Sequence, residues 1–346
     1  MSGHITYTNQ VGAALDKALA STCCNSAFVL ADDNTSRLVL PRIHSQWLTQ
    51  ATPIVIPAGD SNKSLNTLAR VWQALSDAGT TRQSVLVNVG GGMVTDLGGM
   101  AAATFKRGIR FINVPTTLLA AVDAAVGGKT GINFNGLKNE IGAFAEPHEV
   151  IISTTFFDTL PQQQLRAGYA EVIKHAMLDS RRAFEPVIAQ APQQLTLQQL
   201  EASVQVKERI VGQDPHEQGI RRTLNLGHTV GHALESWAMQ QHKPISHGYA
   251  VAWGLVTETI LSHILLKFSS SDLHRLATYV RKYYGTPGIT CDDYTTLLQL
   301  MRHDKKSHAG EVNCTLLRQL GDPVADNAIS DEDMATALDI ARDYLD

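Results

Sequence analysis

The sequence predicts an α/β protein, with strands and helices alternating in the first half and helices filling most of the second. Up to about residue 155, short apolar runs alternate with amphipathic stretches, a pattern typical of a parallel sheet with helices on its faces. From Pro161 onward helical periodicity dominates and no further strands are expected. We therefore predict two domains, residues 1–158 and residues 159–346.

Each element of the first half rests on a local pattern. The run SVLVNV at 84–89 is continuously apolar, as a buried parallel strand should be. Between Ser64 and Ala78, apolar residues recur at helical spacing and Gly79 follows as a C-cap would. The other predicted strands are 26–34, which runs into an acidic turn, 53–59 and 111–115, and the other predicted helix is 95–105.

The second half is predicted to be a helical domain punctuated by prolines. Its longest apolar stretch, 249–266, carries Glu258 and His263 and is interpreted as a buried core helix instead of a membrane span. The predicted helices are 162–178, 181–190, 196–213, 223–240, 247–267, 271–284, 292–302 and 330–345.

The composition is that of a folded globular protein. Of 346 residues, 44% are hydrophobic and 18% are charged, which excludes an intrinsically disordered chain. The net charge of −4 gives no overall basic field and argues against a nucleic-acid partner. The four cysteines form no C-x-x-C pair and the N-terminus shows no signal-peptide pattern. Both observations favour a reducing, cytoplasmic location and no membrane partner.

Three side chains between residues 168 and 248 form a candidate metal site. Glu171, His228 and His247 offer one carboxylate and two imidazoles, a common ligand set for catalytic zinc. Their segments set polar groups among Gly, Ala, Val and Leu, which argues against an ordinary solvated face. Lys174 and His232 share helix faces with Glu171 and His228, so a rival ligand pair, His228 with His232 at i, i+4, stays open.

Two glycine-rich stretches in the first half are candidate anion sites. Gly90–Gly92 follows a predicted strand and precedes a predicted helix, where glycine allows close approach and the helix N-terminus favours phosphate. The G-x-G-x-x-G dinucleotide pattern is absent, so a plain tight turn is the alternative. The run 115–144 combines glycine pairs with basic and amide side chains and suits anion binding; its alternative is a mobile surface loop.

A metal beside a redox cofactor suggests alcohol oxidation, and the nearby cations suggest a substrate that carries phosphate or carboxylate. The motifs GGGMVTDLGGMAAATFKRGI, PTTLLAAVDAAVGGKTG, GLKNEIGAF, LRAGYAEVIKH, LNLGHTVGHALE and SHG closely resemble, in order, those of the 3-dehydroquinate synthase family of sugar phosphate cyclases. The resemblance spans roughly residues 54 to 320.

The resemblance implies a Rossmann-like N-terminal domain, a mainly α-helical C-terminal domain, NAD, and a divalent metal, zinc or cobalt. The family converts 3-deoxy-D-arabino-heptulosonate 7-phosphate to 3-dehydroquinate and phosphate in the shikimate pathway, which leads to chorismate and the aromatic amino acids. The implied steps are oxidation of the C5 hydroxyl, phosphate elimination, re-reduction and intramolecular aldol closure.

The resemblance also assigns roles to matching positions. The metal ligands would be Glu171, His228 and His247. The catalytic residues would be Lys129, Lys174, Lys207, Asn225 and His232, and the substrate-binding residues Arg107, Asp123, Asn139, Arg221 and Lys306. The NAD-binding residues would be Asp32, Asn34, Asp60, Lys63, Gly91, Gly92, Asp96, Thr116, Thr117, Lys138 and Thr159.

The sequence departs from the family pattern at two positions, and the resemblance also implies a homodimer. Asp60 stands where the family more often has Glu. Tyr249 stands where the common pattern is H-G-E, which puts an outer partner of the metal in doubt. Arg107 matches an arginine that reaches the neighbouring subunit's substrate, which implies a homodimer.

There are three alternative functions: a cyclase with another substrate, a dehydrogenase and an inactive scaffold. 2-Deoxy-scyllo-inosose and valiolone synthases act on sugar phosphates without a carboxylate, whereas Arg221 and Lys207 suit one. A metal-dependent polyol dehydrogenase would not need the phosphate-binding cations. A catalytically inactive scaffold would have no chemical need for the complete metal set.

Overall fold

The computed structural model describes residues 4–135, 137–302 and 312–346, and the chain divides into two compact units. The first unit comprises Met1–Pro161 with Thr196–Val204, and the second Gln162–Leu195 with Gln205–Asp346. The sequence does not predict that residues 196–204 belong to the first unit. The functional boundary between residues 158 and 159 stays a prediction.

The first unit is built on a six-stranded parallel sheet. The strands of this unit are β1 (His4–Tyr7), β2 (Ala27–Asp32), β3 (Thr52–Ile56), β4 (Val85–Gly90), β5 (Arg110–Pro115), β6 (Lys129–Phe134), β7 (Leu137–Phe144) and β8 (Glu149–Ile152). The strand order in the sheet is β1-β8-β5-β4-β2-β3. The helices of the unit are α1 (Val11–Ser21), α2 (Asp33–Leu38), α3 (Leu65–Asp77) and α4 (Gly92–Thr104).

Strand β4 shows why helices cover both faces of this sheet. All six of its residues are buried, and successive side chains point to opposite faces. Leu86 packs in a cluster with residues of α3 and α4, whereas Val85 and Val87 pack in a second cluster with residues of α1. The predicted parallel sheet is therefore confirmed, although the short strands β1 and β8 are not predicted.

The glycine-rich run after β5 forms neither a simple loop nor a fully packed segment. Ala120–Ala124 is a π-helical turn, and β6 and β7 form an antiparallel hairpin. A Cβ on Gly131 would lie 2.7 Å from the Ile141 carbonyl oxygen, so glycine permits the close pairing. The apolar spacing in this run predicts a packed segment, but β7 is largely exposed.

The second unit is mainly helical, as predicted, but its strands do not stop at Pro161. The polar run after residue 320 pairs with the apolar run before it as an antiparallel hairpin. The helices from residue 162 on are α5 (Gln162–Asp179), α6 (Arg181–Ala189), α7 (Leu197–Gln213), α8 (His228–Gln240), α9 (His247–Leu266), α10 (Ser270–Tyr284), α11 (Tyr294–Arg302) and α12 (Asp331–Leu345), and the strands are β9 (Val312–Gln319) and β10 (Asp322–Ile329).

Helix α9 is the core of the second unit. It packs against α5, α8, α10, α12 and β9. Among the described residues it is the one helix long and apolar enough to cross a membrane, but 72% of its most apolar window is buried inside the protein. The interpretation of this segment as a core helix is therefore confirmed.

Candidate active site

Three helices of the second unit bring the predicted metal ligands together. Glu171 lies within α5 and is fully buried, while His228 and His247 are the first residues of α8 and α9. Glu171 Oε1 lies 3.5 Å from His228 Nε2 and 3.7 Å from His247 Nε2. The ligand atoms of all three lie within 4.8 Å of one another, which is compact enough to hold one ion.

The second nitrogen of each imidazole has its own partner. His228 Nδ1 lies 3.1 Å from the Leu226 carbonyl oxygen, and His247 Nδ1 lies 2.8 Å from Glu235 Oε2. Partners of this kind fix the ring and leave Nε2 as the ligating atom. The outer partner of His247 thus comes from α8, and the ring of Tyr249 instead packs edge-on against that of Tyr284.

The donor set fits a divalent cation. Within the described part of the chain, neither carboxylate oxygen of Glu171 accepts a hydrogen bond, although Lys174 forms an ion pair with one of them. A fully buried carboxylate without donors is costly, and a divalent ion between Oε1 and the two imidazoles would satisfy it. One carboxylate with two imidazoles suits zinc or cobalt.

His232 lies beside this trio. Its ring centroid is 5.4 Å from that of His228 and 5.9 Å from that of His247. His232, Glu235 and His247 also meet the distance requirement for a metal group. In that set Glu235 is already hydrogen-bonded to His247, so the geometry favours Glu171, His228 and His247.

A glycine contact holds α9 against α5, and a buried tyrosine at the end of α10 is hydrogen-bonded to α5. A Cβ on Gly248 would lie 1.9 Å from the Ala167 carbonyl oxygen, so only glycine lets α9 begin directly on the α5 backbone. Tyr284 donates a hydrogen bond of 2.9 Å to the Arg166 carbonyl oxygen. Burial raises the pKa of Tyr284 well above its usual value, so the phenol stays protonated and keeps donating.

Several of the predicted catalytic and substrate-binding residues of the second unit are buried. Lys174, Lys207 and Arg221 are each less than a tenth exposed. Arg221 Nη1 donates to the Pro215 carbonyl oxygen at 2.6 Å, and Asn225 Nδ2 lies 3.4 Å from Glu217 Oε1. Cations buried to this degree are rare on ordinary surfaces.

In the first unit, several of the predicted nucleotide residues lie at the carboxyl ends of the parallel strands, where ligands of such sheets bind. Asp32 ends β2, Gly91 follows β4 and Thr116 follows β5. Gly91 is the N-cap of α4. Among the described residues no side chain caps this N-terminus, which therefore offers backbone N–H groups to an anion. Helix α4 begins at Gly92, three residues before the predicted start at 95, because the last of the three glycines is itself helical.

One buried lysine links nucleotide-assigned and substrate-assigned residues. Lys63 forms an ion pair with Asp96 and donates to Asn139 Oδ1. Asn133, which the sequence does not single out, receives a 3.0 Å hydrogen bond from the Asn139 backbone N–H at its Oδ1 and donates its Nδ2 to Asp60 O at 3.1 Å. These contacts join the predicted NAD turn to the β6–β7 hairpin.

Other predicted residues have local structural roles or solvent exposure. Asp32 accepts hydrogen bonds from Asn34 N and Thr35 N as the N-cap of α2. Thr117 accepts one from Ala120 N and Thr159 donates one to Phe156 O. Asn34, Lys129 and Lys138 are exposed, Asp123 lies in the π-helical turn, and Lys306 lies outside the described residues.

The turn carrying Arg107 adopts an unusual backbone. Lys106 and Arg107 both have positive φ, 51° and 67°, and Gly108 follows with φ 113°. Both cationic side chains are exposed. Strained backbone of this kind is concentrated at functional sites.

Two family models match the chain. The 3-dehydroquinate synthase N-terminal model matches residues 53–167 and the 3-dehydroquinate synthase C-terminal model matches residues 168–307. The 3-dehydroquinate synthase of Parabacteroides distasonis is 47% identical over 334 residues, covering 95% of each chain. That of Pyrococcus furiosus is 41% identical, covering 89% of this chain and 90% of its own.

Solved structures share the fold at lower identity. A 2-deoxy-scyllo-inosose synthase complexed with carbaglucose-6-phosphate, NAD+ and Co2+ matches with TM-score 0.83 at 21% identity, covering 98% of this chain and 96% of its own. The 2-epi-5-epi-valiolone synthase of Streptomyces hygroscopicus, with NAD+ and Zn2+ bound, gives 0.82 at 24%, covering 99% and 97%. A glycerol dehydrogenase from Schizosaccharomyces pombe gives 0.66 at 16%, covering 99% and 89%.

Proposed function

This chain belongs to the 3-dehydroquinate synthase family, and we propose that Glu171, His228 and His247 hold the divalent metal on which its activity depends. The enzyme is an NAD- and metal-dependent lyase that converts 3-deoxy-D-arabino-heptulosonate 7-phosphate to 3-dehydroquinate and phosphate. Cyclases with other substrates and polyol dehydrogenases are similar at the level of the fold, so these alternatives are not favoured.

The observation that carries the metal assignment is the convergence on Glu171 Oε1 of two imidazole nitrogens at 3.5 and 3.7 Å. When bound, the metal polarises the substrate hydroxyl as a Lewis acid while NAD accepts and returns a hydride. Lys174 neutralises the second oxygen of Glu171. His232 binds substrate and stays off the metal.

We assign the remaining roles by unit. The first unit binds NAD: the open N-terminus of α4 at Gly91 and Gly92 fits the pyrophosphate, and Asp96 with Lys63 fits a ribose hydroxyl. It also contributes Lys129 and Asn139, whose donors suit a phosphate. The second unit contributes Lys207 and Arg221, whose buried charges suit the substrate carboxylate.

Metal analysis of two histidine variants tests the ligand set. His247→Ala should lose most of its bound zinc, because a two-ligand site binds the ion far more weakly. His232→Ala should retain it and lose activity instead. Elemental analysis after dialysis against buffer without chelator measures both proteins. If His247→Ala keeps all of its zinc while His232→Ala loses it, the proposed ligand set is wrong.

We further propose a cytoplasmic homodimer in which Arg107 completes the partner's site. The support is the exposed, strained turn at Lys106–Gly108 together with the family resemblance. Arg107→Ala and Lys129→Ala chains, each inactive alone, should regain activity when mixed, since half of the sites in a mixed dimer would lack neither group. Mixed dimers are verified with two affinity tags, and tagged wild-type chains serve as the control. No recovery in verified mixed dimers would place Arg107 in its own chain's site or outside any site.

A further inference from the structure

Glu258 is a fully buried carboxylate in the apolar core helix of the second unit. It lies on α9 and is 0% exposed. Its Oε2 accepts a hydrogen bond of 2.6 Å from Gly227 N, and its Oε1 accepts one of 3.2 Å from Val230 N. No role in metal, cofactor or substrate binding has been assigned to it above, so its burial needs another reason.

The two donors show what the carboxylate does. Gly227 is the N-cap of α8, with φ 78° and no side chain to cap the helix, and Val230 is the third residue of that helix. The first N–H groups of a helix have no partner within it. A capping box satisfies the N-cap N–H and the third N–H with two local side chains; here one carboxylate from another helix binds both.

Close backbone contact brings α9 within reach of this N-terminus. A Cβ on Gly254 would lie 2.0 Å from the Gly227 carbonyl oxygen, and one on Gly227 would lie 2.8 Å from the Leu255 side chain. Gly254 and Glu258 are four residues apart and share a helix face. The glycine contact therefore sets the distance between α9 and the N-terminus of α8. The carboxylate of Glu258, one turn later, aligns the N–H groups that it caps.

His228 lies between the two capped N–H groups. It is the first residue of α8, and its Nδ1 lies 3.1 Å from the carbonyl oxygen of Leu226. The backbone of 226–230 thus orients both the Cα–Cβ bond and the ring of His228. A shift of this segment would move Nε2 relative to Glu171 Oε1 without altering any ligand.

We propose that Glu258 is a positioning residue for the metal ligand His228, acting through the N-terminus of α8. The proposal rests on the metal assignment made above. Glu258 holds the backbone that presents His228, and it contributes to metal affinity without touching the ion.

Cobalt binding to the apoenzyme tests this directly, because the visible absorption of Co2+ reports both affinity and ligand geometry. In Glu258→Gln, one acceptor oxygen remains and an amide N–H2 faces the other backbone donor. Outer partners of metal ligands typically contribute 10- to 100-fold to affinity, so we expect Co2+ to bind about 10- to 100-fold more weakly, with an altered absorption band. Glu258→Asp keeps the charge but draws it back by one methylene, and should give a smaller loss.

Two control variants separate the possible causes of a weaker affinity. Leu276→Ala, at a fully buried position of α10, should lower the thermal midpoint while leaving Co2+ affinity unchanged. His228→Ala should abolish the wild-type cobalt band. Circular dichroism establishes whether each variant is folded. If Glu258→Gln does not fold, Glu258→Asp is used for the test.

The outcomes distinguish this inference from the metal assignment. Unchanged Co2+ affinity and absorption in a folded Glu258 variant would overturn the inference, as would an equal loss in Leu276→Ala, since the loss would then follow global stability. If His228→Ala retains the wild-type cobalt band, the metal assignment itself is wrong and the inference falls with it.

Discussion

Asp214 organises the loop that presents Arg221. Its Oδ1 accepts from Gln218 N at 2.9 Å, and its Oδ2 accepts from Gly219 N at 2.6 Å and from Arg221 N at 3.0 Å. These backbone N–H groups, with the nearby Arg221 charge, hold the pKa of Asp214 below its usual value. The ionised carboxylate therefore stabilises the conformation of the loop that carries Arg221.

The lowered pKa sets the pH range of this effect. A carboxylate with a depressed folded pKa contributes fully above its unfolded pKa of about 3.9, and the contribution is lost as the pH falls through the folded value. Exchange of the Gln218, Gly219 and Arg221 amides, measured by hydrogen–deuterium exchange, should accelerate beyond its intrinsic pH dependence only below about pH 4.

Asp214→Asn removes the charge at neutral pH. The same three amides should exchange faster at pH 7, and KM for the sugar phosphate should rise several-fold with little change in kcat, because Arg221 is displaced and the metal ligands are not. Asp343→Asn, an equal charge change at an exposed position of α12, is the control. Unchanged amide exchange in Asp214→Asn would refute this role.

At the same scale, the residues that orient the ligands could not be predicted from the sequence. Glu235 is visible as part of the His228 helix face, but its pairing with His247 depends on how two helices cross. Glu258 is visible as a charge within an apolar helix, yet a single sequence cannot show that α8 begins beside it. Ligand types follow from local chemistry, whereas outer partners follow from tertiary packing.

At the scale of the elements, the start of α9 is a tightly constrained contact between two helices. Gly248→Ala would place a Cβ 1.9 Å from Ala167 O, so α9 must move off α5. Overpacking of this kind costs about 1–3 kcal/mol, and His247 would move with the helix. We expect a lower free energy of unfolding in urea and weaker zinc binding, measured by chelator competition.

A glycine elsewhere gives a matched control for that substitution. A Cβ on Gly212, near the end of α7, would meet no atom within 4 Å in the part of the chain that the structure describes. Gly212→Ala should be neutral or stabilise by up to about 1 kcal/mol through helix propensity. If Gly248→Ala has the same stability and the same zinc affinity as Gly212→Ala, the α5–α9 contact does not hold the site.

Elements with strong periodicity were predictable and hairpins were not. The long helices α5, α9 and α10 agree with the predicted ranges within one or two residues, since their apolar spacing is sustained over several turns. The β6–β7 hairpin lies in a glycine-rich run without clear alternation, and β10 carries polar residues along most of its length. Both hairpins are specified by pairing between strands, which local patterns do not encode.

For the whole molecule, residues alone predict a metal, a redox cofactor and an anionic substrate, but not the order of their use. The proposed metal ligands lie on three helices and span 76 positions of the chain, from Glu171 to His247. Only the ordered set of motifs connects them to one reaction, and the family relationship covering most of the chain supports it. The fate of the hydride is the property that separates this reaction from that of a dehydrogenase sharing the fold.

A 3-dehydroquinate synthase re-uses its reduced cofactor before product leaves, whereas a dehydrogenase releases NADH. We therefore expect phosphate release over many turnovers with only a catalytic amount of NAD and no steady rise in NADH absorbance. Lys129→Ala should slow phosphate release far more than it weakens NAD binding, because Lys129 is assigned to the phosphate that is both anchor and leaving group. Asp96→Ala is the matched variant and should chiefly weaken NAD binding. Accumulation of NADH in proportion to substrate consumed, or product that retains its phosphate, would instead identify a polyol dehydrogenase reaction.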